Sequence, residues 1–287
     1  SDIDSEVLTG SITETNATDE LCKDADVVFH LAAFISIDSL KNQTKLRTIN
    51  VRGTKNIIDS CVKNGVKRLV HFSSVDAYGP FPHDKQLDEA RALQAPVPFH
   101  YGASKAISQK MVLEATTDRF ETIVLCPTAV MGPEDPGPSL TGQMIQRYAK
   151  NQIPALIPGG FNWVDVRDVV DGAIAAINKG LPGQAYILSG NYATNREIAG
   201  MVSKFTGSKI PSVTMPFWAT LLGVPFARLQ AWITKTQPLY TKESIEIIKR
   251  SNPFISNEKA KRELGYKSRP LLETMEQTIK WFGLSSS

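Results

Sequence analysis

The sequence predicts an α/β fold in which a doubly wound parallel sheet carries helices on both faces. Three short apolar runs, at residues 26–33, 68–74 and 121–126, indicate strands that are buried on both sides. Helical patterns at residues 46–64 and 101–115 separate these runs. Strands that alternate with helices are typical of a parallel sheet, which binds its ligands at the carboxyl ends of the strands.

Each of the three runs ends in residues suited to a binding site. The first ends at the small pair Ala32 and Ala33, the second at Ser73 and Ser74, and the third at Pro127. Because the carboxyl ends of parallel strands share one edge of the sheet, we expect these residues to meet in one crevice.

The later part of the chain has a different pattern. Beyond residue 133 the pattern is mixed, with predicted helices at 141–151 and 164–178 and one further strand at 185–188. A C-terminal, largely helical part follows, with predicted helices at residues 194–205, 217–234, 242–250, 257–264 and 271–282.

Charge and cysteine content exclude several classes of protein. Lys and Arg number 32 against 29 Asp and Glu, and this small excess is spread along the chain, so we predict no nucleic-acid partner. The three cysteines, Cys22, Cys61 and Cys126, have neither metal-ligand nor disulfide-framework spacing. We therefore predict no metal site and a reducing, cytoplasmic location.

One apolar segment bears on membrane contact. Residues 215–227 form the most apolar stretch, which is too short to span a bilayer. A buried helix is the favoured interpretation, and a helix resting weakly on a membrane surface is the alternative.

The pair Tyr101 and Lys105 carries the chemistry that the sequence predicts. Residues four apart lie on one face of a helix, and a neighbouring ammonium lowers the pKa of a phenol from about 10 toward the range of a general acid–base. Ser74 would orient a substrate oxygen beside the phenol. A packed Tyr with a surface Lys one turn away is the alternative, and the three strand ends favour the catalytic interpretation.

The order of several short motifs resembles the extended short-chain dehydrogenase/reductase family, also described as NAD-dependent epimerases and dehydratases. The matching segments are residues 7–13, 30–33, 50–54, 73–79, 101–105 and 127–133. Within that family, residues 159–169 and 182–190 look most like the dihydroflavonol-reductase-like branch, with the 3-beta-hydroxysteroid dehydrogenase branch close behind.

The resemblance implies a role for each residue of the candidate site. Tyr101 would be the general acid–base, Lys105 would lower its pKa and bind the nicotinamide ribose, and Ser74 would hold the substrate oxygen. The implied cofactor is NAD or NADP. Further cofactor-binding residues implied by the motifs are Ser11, Ile12, Leu31, Ala32, Ala33, Asn50 and Pro127.

The resemblance also implies a division of the chain and an assembly. A dinucleotide-binding domain would comprise residues 1–133 and about 162–190, and a substrate lobe would comprise 134–161 and 191–287. Members of the family commonly form homodimers through the helices that carry Tyr101 and Asn50.

Several residues near the predicted site have a structural interpretation beside the functional one. Ser73 is expected to bond the backbone at its strand end, and Asn50 could equally be a solvated helix residue. A packing role is the favoured interpretation for His30, His100, Cys126, Trp163, Trp218 and Trp232. The alternative is that one of the tryptophans lines a substrate pocket.

The sequence departs from the family pattern at two places that concern cofactor binding. Ser11 replaces an Asp on the adenine side, and no Gly-x-x-Gly-x-x-Gly segment occurs in the sequence. We expect the first two βα units of the fold to precede Ser1, together with the residue that selects NAD or NADP.

Three functions are therefore kept open. The first is an NAD(P)-dependent oxidoreductase that interconverts an alcohol and a ketone on an apolar, ring-bearing small molecule. The second is a nucleotide-sugar epimerase; dehydration is disfavoured because only one acidic residue, Asp76, follows Ser74 closely. The third is a scaffold that binds no cofactor.

Overall fold

The computed structural model describes residues 5–98, 100–221 and 241–285. Two compact units divide the chain. The first contains Ser1–Tyr78, Leu93–Cys126 and Ala175–Tyr186, and the second contains Gly79–Ala92, Pro127–Ile174 and Ile187–Ser287. The predicted division into a cofactor domain and a substrate lobe is a division by function. It stays a prediction beside these two structural units.

The sheet of the first unit confirms the predicted α/β class. Its elements in chain order are α1 Thr15–Cys22, β1 Val27–His30, α2 Ser39–Lys45, a π-helical segment Leu46–Gly53, α3 Thr54–Asn64, β2 Arg68–Phe72, a 3-10 turn Val75–Ala77, α4 Tyr101–Glu114 and β3 Glu121–Pro127. Strand β1 pairs with β2 and β2 with β3, both in parallel, and β3 neighbours a further strand, β6 Gln184–Leu188. The ends of β1, β2 and β3 therefore share one edge, as predicted.

The long helix before β2 differs from its prediction. Helical structure begins at Ser39 rather than near Leu46, and eight residues in its middle form a π-helix. The Asn50 carbonyl accepts hydroxyl hydrogen bonds from Thr54 at 2.6 Å and from Ser108 on α4 at 2.6 Å. Because these bonds take a carbonyl out of the α-helical ladder, local sequence periodicity does not reveal the segment.

The second unit contains its own small sheet. Its elements are β4 Ala129–Met131, α5 Leu140–Ala149, β5 Gly160–Asp165, α6 Val166–Lys179, β7 Asn191–Thr194, α7 Asn195–Thr206, α8 Lys242–Arg250, α9 Glu258–Leu264 and α10 Leu271–Trp281, with α6 and β6 containing residues of both units. Strand β5 pairs in parallel with β4 and antiparallel with β7.

These three short strands were not predicted from the sequence. Strand β7 has only one buried residue, and β5 carries the buried polar residues Asn162 and Asp165, so neither shows a simple apolar pattern. Pairing with distant partners, rather than local pattern, fixes these strands.

The structure tests some of the predictions for the tryptophans and the apolar segment. Trp163 lies in the buried core of the second unit, as predicted. The prediction for Trp218 is wrong, because its side chain is 70% exposed. Trp232 and most of the predicted helix at 217–234 lie outside the described residues. Within the described ranges, no helix has both the length and the apolarity needed to cross a bilayer.

Candidate active site

Ser74, Tyr101 and Lys105 all lie in the first unit. Ser74 follows β2 and caps the 3-10 turn, where its Oγ accepts a hydrogen bond from the Asp76 N–H at 3.1 Å. Tyr101 is the first residue of α4, and the Ser74 side chain lies near enough to its phenol to act on the pKa of that group. The structure thus brings together the two side chains that were predicted to hold a substrate oxygen.

The start of α4 is fixed by contacts on three sides. The Nδ1 atom of His100 caps the helix by accepting the Ala103 N–H at 3.2 Å, and the Tyr101 N–H donates to Ser39 Oγ at 3.1 Å. Gly102 faces the Asp76 carbonyl so closely that any Cβ would collide with it. His100 is thus a hydrogen-bonded imidazole, and a glycine beside Tyr101 allows the first turn of α4 to press against the 3-10 turn.

Lys105 is a buried cation. Its side chain is 3% exposed, and its Nζ donates to the Phe72 carbonyl at the end of β2, at 2.6 Å. Burial lowers the pKa of Lys105 to about 8, although the nearby Cys126 thiol acts in the opposite direction. Within the described residues no other hydrogen bond reaches Nζ, so two of its three N–H groups can bind another molecule.

The electrostatics of Tyr101 differ from the prediction. Burial and the negative charge of Asp76 raise the pKa of Tyr101, while the nearby Ser74 hydroxyl acts to lower it. The predicted lowering by Lys105 is wrong for this structure, because the Lys105 ammonium is bonded to a strand-end carbonyl instead. The phenol is therefore held in its protonated form, as a hydrogen-bond and proton donor.

Asn50 connects the end of β1 to α4. Its side chain is 2% exposed, which excludes the solvated alternative. Its Oδ1 accepts the Phe34 N–H at 2.7 Å, and its Nδ2 donates to the Phe34 carbonyl at 3.0 Å and to Ser104 Oγ at 2.9 Å. Asn50 thus holds the segment after β1 in place from both sides.

A buried polar layer lies between the sheet and α4. Ser73 donates to Gln109 Oε1 at 2.7 Å instead of bonding the backbone through its hydroxyl, and Cys126 Sγ lies 3.4 Å from the same oxygen. Gln109 Nε2 donates to the Tyr78 hydroxyl at 3.2 Å. Sequence reasoning missed Gln109 and Tyr78, and the position of Gln109 on α4, one turn beyond Lys105, was the available signal.

His30 and His71 occupy adjacent strands with their ring centroids 5.0 Å apart. His30 Nε2 is hydrogen-bonded to Thr54 Oγ1 at 3.0 Å, whereas neither ring nitrogen of His71 has a partner within the described residues. Burial, with a smaller effect of Lys105, lowers the pKa of His30 to about 4 and that of His71 well below its usual value. Both imidazoles are neutral packed side chains near pH 7, as predicted for His30.

The remaining predicted cofactor residues lie at or near strand ends and at the start of the described chain. Leu31 and Ala32 are exposed directly after β1, Ala33 is partly exposed, and Pro127 is the last residue of β3. Ser11 Oγ is hydrogen-bonded to Thr13 Oγ1 at 2.8 Å. The Ile12 carbonyl accepts a hydrogen bond from Asn56 Nδ2 at 2.9 Å, and the Ile12 side chain packs against Gly53.

These residues fit one part of a dinucleotide cofactor. The exposed small residues after β1 leave room for a flat group. The unused donors of Lys105 match the hydroxyl groups of a ribose. The strand-end position also agrees with the general location of ligands in such sheets.

Comparison with known proteins gives a family and several relatives. Residues 2–189 match the family model described as "NAD dependent epimerase/dehydratase family". "Sterol demethylase protein B" of Methylococcus capsulatus is 27% identical over 95% of this chain and 83% of its own length. A "Putative dihydroflavonol 4-reductase" of Synechocystis is 31% identical over 89% of this chain and 75% of its own length.

A solved structure has a similar fold. The crystal structure of gox2253 superposes with a TM-score of 0.79 and is 29% identical, covering 96% of this chain and 83% of its own. The relatives match the dihydroflavonol-reductase-like and hydroxysteroid-dehydrogenase-like branch that the motifs resemble.

Proposed function

Because the chain belongs to the NAD dependent epimerase/dehydratase family, we propose that it interconverts a secondary alcohol and a ketone with NAD or NADP. Ser74, Tyr101 and Lys105 would form its active site, on a ring-bearing, largely apolar small molecule. The observation that carries the proposal is the proximity of the Ser74 side chain to the Tyr101 phenol, one helical turn before the buried Lys105.

The substrate would be held by its reacting oxygen. Ser74 and Tyr101 both present hydroxyl groups, so one carbonyl oxygen can accept a hydrogen bond from each. Tyr101 then gives its proton to that oxygen as the ketone becomes an alcohol. Its raised pKa keeps the phenol protonated near pH 7, so the proton that this direction needs is present, although a pKa nearer the working pH would transfer it more readily.

Lys105 would act on the cofactor side of the site. When bound, a nicotinamide cofactor supplies or accepts the hydride of such a reaction. Lys105, with two unused N–H groups, would bind the ribose hydroxyls, and Asn50 would keep the adjoining segment after β1 in position. Further cofactor contacts are proposed for Ser11, Ile12, Leu31, Ala32, Ala33 and Pro127.

The names of the relatives support a ring-bearing substrate. "Sterol" and "dihydroflavonol" both denote fused or linked rings with few charged groups. A nucleotide-sugar epimerase is the second candidate, because the matched family includes epimerases.

A cofactor-oxidation assay separates these functions. The full-length protein is mixed with NADH or NADPH and a panel of ring ketones, and the loss of reduced cofactor is followed. In parallel, UDP- and dTDP-sugars are tested for conversion without net cofactor change. Ketone-dependent oxidation supports the proposal. Sugar conversion alone would replace it with epimerase activity, and a titration that shows no binding of NADH or NADPH would leave the scaffold function.

A further inference from the structure

Helices α1 and α3 of the first unit are joined by a row of side-chain contacts. Ser60 Oγ lies 2.7 Å from Asp19 Oδ1, and Lys63 Nζ donates to Asp19 Oδ2 at 2.5 Å. Cys22 lies about one turn beyond Asp19 on α1, and Cys61 follows Ser60 on α3. The packing of the two helices therefore brings these two cysteines opposite each other.

The two thiols are in contact and shielded from solvent. Cys22 Sγ lies 3.8 Å from Cys61 Sγ, and both side chains are fully buried. They are 39 positions apart, so their spacing in the sequence gave no signal of a pair. Because a buried cysteine packs as a small apolar residue, packing alone does not require two thiols here, and their reactivity is the property that sets them apart.

The two thiols differ in acidity. The hydrogen bond between them lowers the pKa of Cys22 and raises that of Cys61, which burial raises further. Since the thiolate is the reactive form of cysteine, Cys22 is the sulfur that an oxidant meets first. Cys61 then lies beside it as a second thiol that can complete a disulfide.

Access to the pair depends on α1. This helix has only eight residues, and its N-cap residue, Glu14, makes no capping hydrogen bond through its side chain. A short helix at a segment end opens locally at a lower free energy than the whole fold. Because the sulfurs lie between α1 and α3, one such opening exposes both of them to a small oxidant.

We propose that Cys22 and Cys61 form a redox-active thiol pair, which hydrogen peroxide converts to a disulfide that fastens α1 to α3. The Cys22 sulfur attacks one peroxide oxygen, the O–O bond breaks, and a sulfenic acid and one water are formed. The Cys61 sulfur then attacks the Cys22 sulfur and a second water leaves as the S–S bond forms. The two thiols lose two hydrogen atoms and two electrons in all, and the peroxide is reduced to two waters.

The geometry requires only a local adjustment. The sulfurs must approach from 3.8 Å to the disulfide bond length of about 2.05 Å, across one helix–helix contact. The crosslink would close a long loop that contains β1 and the segment with Asn50. Closing a long loop restricts the unfolded chain, so oxidation should stabilise the first unit.

Thiol counting after oxidation tests the inference without any assumption about the reaction that the protein catalyses. The folded full-length protein is treated with hydrogen peroxide, then unfolded in urea with iodoacetamide, and its intact mass is measured without reduction. We expect one alkylated cysteine, compared with three in the untreated protein. Peptide mapping should show the peptides of Cys22 and Cys61 crosslinked, and dithiothreitol should restore three alkylated cysteines.

Cys126 is the internal control for burial. It is as fully buried as the pair, but its Sγ lies beside Gln109 Oε1 at 3.4 Å. It should therefore remain reduced. We expect Cys126→Ser to keep the crosslink, whereas Cys22→Ser and Cys61→Ser should each abolish it. The peptide map of the wild type needs no variant, so the test holds even where a variant does not fold.

Thermal unfolding tests the effect on α1. Oxidation should raise the midpoint of unfolding by about 5 °C or more, and dithiothreitol should reverse the rise. Three alkylated cysteines after peroxide, a sulfinic acid at Cys22 without a crosslink, or a crosslink to Cys126 would each overturn the proposed pair. A Cys22–Cys61 crosslink with an unchanged or lower midpoint would overturn the claim that it fastens the helices.

Discussion

In the second unit two buried carboxylates each lie against an arginine, whereas the buried charges around Tyr101 in the first unit have no opposite charge as a partner. Asp165 accepts hydrogen bonds from Arg167 Nε at 3.0 Å and Nη2 at 2.6 Å, and from Thr274 Oγ1 at 2.8 Å. Asp168 accepts the Arg269 N–H at 2.7 Å and forms an ion pair with its guanidinium. These bonds lower the pKa of Asp165 although burial acts to raise it, whereas burial still raises the pKa of Asp168 in spite of Arg269.

The first unit differs in the partners of its buried charges. Lys105 and Asp76 form no salt bridge within the described residues, and burial moves the pKa of each toward its neutral form, to about 8 and about 6. Paired buried charges can be explained by the fold alone. Unpaired ones destabilise it and are typical of sites that bind or transform another molecule. The comparison therefore separates a structural charge cluster from a functional one.

The largest expected effect is on activity in the first unit. Tyr101→Phe removes the proposed proton donor and should lower kcat by about 1000-fold, within the range of general acid–base catalysis. Titration with NADH should show cofactor affinity close to that of the wild type. Tyr266→Phe is the matched control: it removes a buried hydroxyl that donates to the Ser189 carbonyl at 3.1 Å, and kcat should hardly change. Substantial activity in Tyr101→Phe would contradict the assigned role.

The next effect is on stability in the second unit. Arg167→Met leaves the buried Asp165 carboxylate without its cation and should lower the free energy of unfolding by about 3 kcal/mol. Urea denaturation measures the change. Lys55→Met removes an exposed ion pair with Asp59 and should cost less than about 0.5 kcal/mol. Equal losses in the two variants would show that the buried ion pair of Asp165 contributes no more to stability than the exposed ion pair of Lys55 and Asp59.

Removing a buried charge from the first unit should raise the free energy of unfolding, whereas removing Arg167 lowers it. Lys105→Met removes a buried, unpaired charge and should raise the free energy of unfolding at pH 7 by about 1–2 kcal/mol, after the loss of the bond to Phe72. The same variant should lose activity. Lys110→Met, on the exposed side of α4, should change neither quantity appreciably. A destabilised Lys105→Met would show that the charge of Lys105 supports the fold.

The effect of Lys105 also depends on pH. Its folded-state pKa of about 8 lies below the ordinary value of 10.5, so between these values the unfolded protein binds more protons. The Lys105 contribution therefore makes the wild-type protein more stable as pH rises through this window. The stability advantage of Lys105→Met should accordingly shrink between pH 8 and pH 10, as followed by urea denaturation. An advantage that stays constant would exclude titration of Lys105 as its cause.

The sequence was sufficient for the elements with a strong local pattern. The strands β1, β2 and β3 are apolar over most of their length, and their parallel order follows from the alternation of strands and helices. The meeting of Ser74 with Tyr101 could be predicted for the same reason, since one lies at a strand end and the other starts the following helix.

The remaining features depend on contacts that are distant in the sequence. The π-helical segment is stabilised partly by Ser108, 58 residues after Asn50. The raised pKa of Tyr101 comes from burial and from Asp76, whereas the spacing of Tyr101 and Lys105 suggested only a lowering by the ammonium. The direction of the pKa shift of Tyr101 depends on side-chain orientation and burial, and residue spacing defines neither.

The smallest expected effect concerns the histidine pair. His71→Leu replaces a buried imidazole without hydrogen-bond partners by an apolar side chain and should raise the free energy of unfolding by about 1 kcal/mol. His30→Leu instead breaks the bond to Thr54 and should lower it by a similar amount. Thermal or urea denaturation of both variants at pH 7 provides the measurement. A gain in both would mean that the hydrogen bond of His30 contributes nothing. A loss in both would mean that His71 stabilises the fold through contacts of its ring. The buried polar groups of the first unit would then stabilise the fold, as the paired carboxylates of the second unit do.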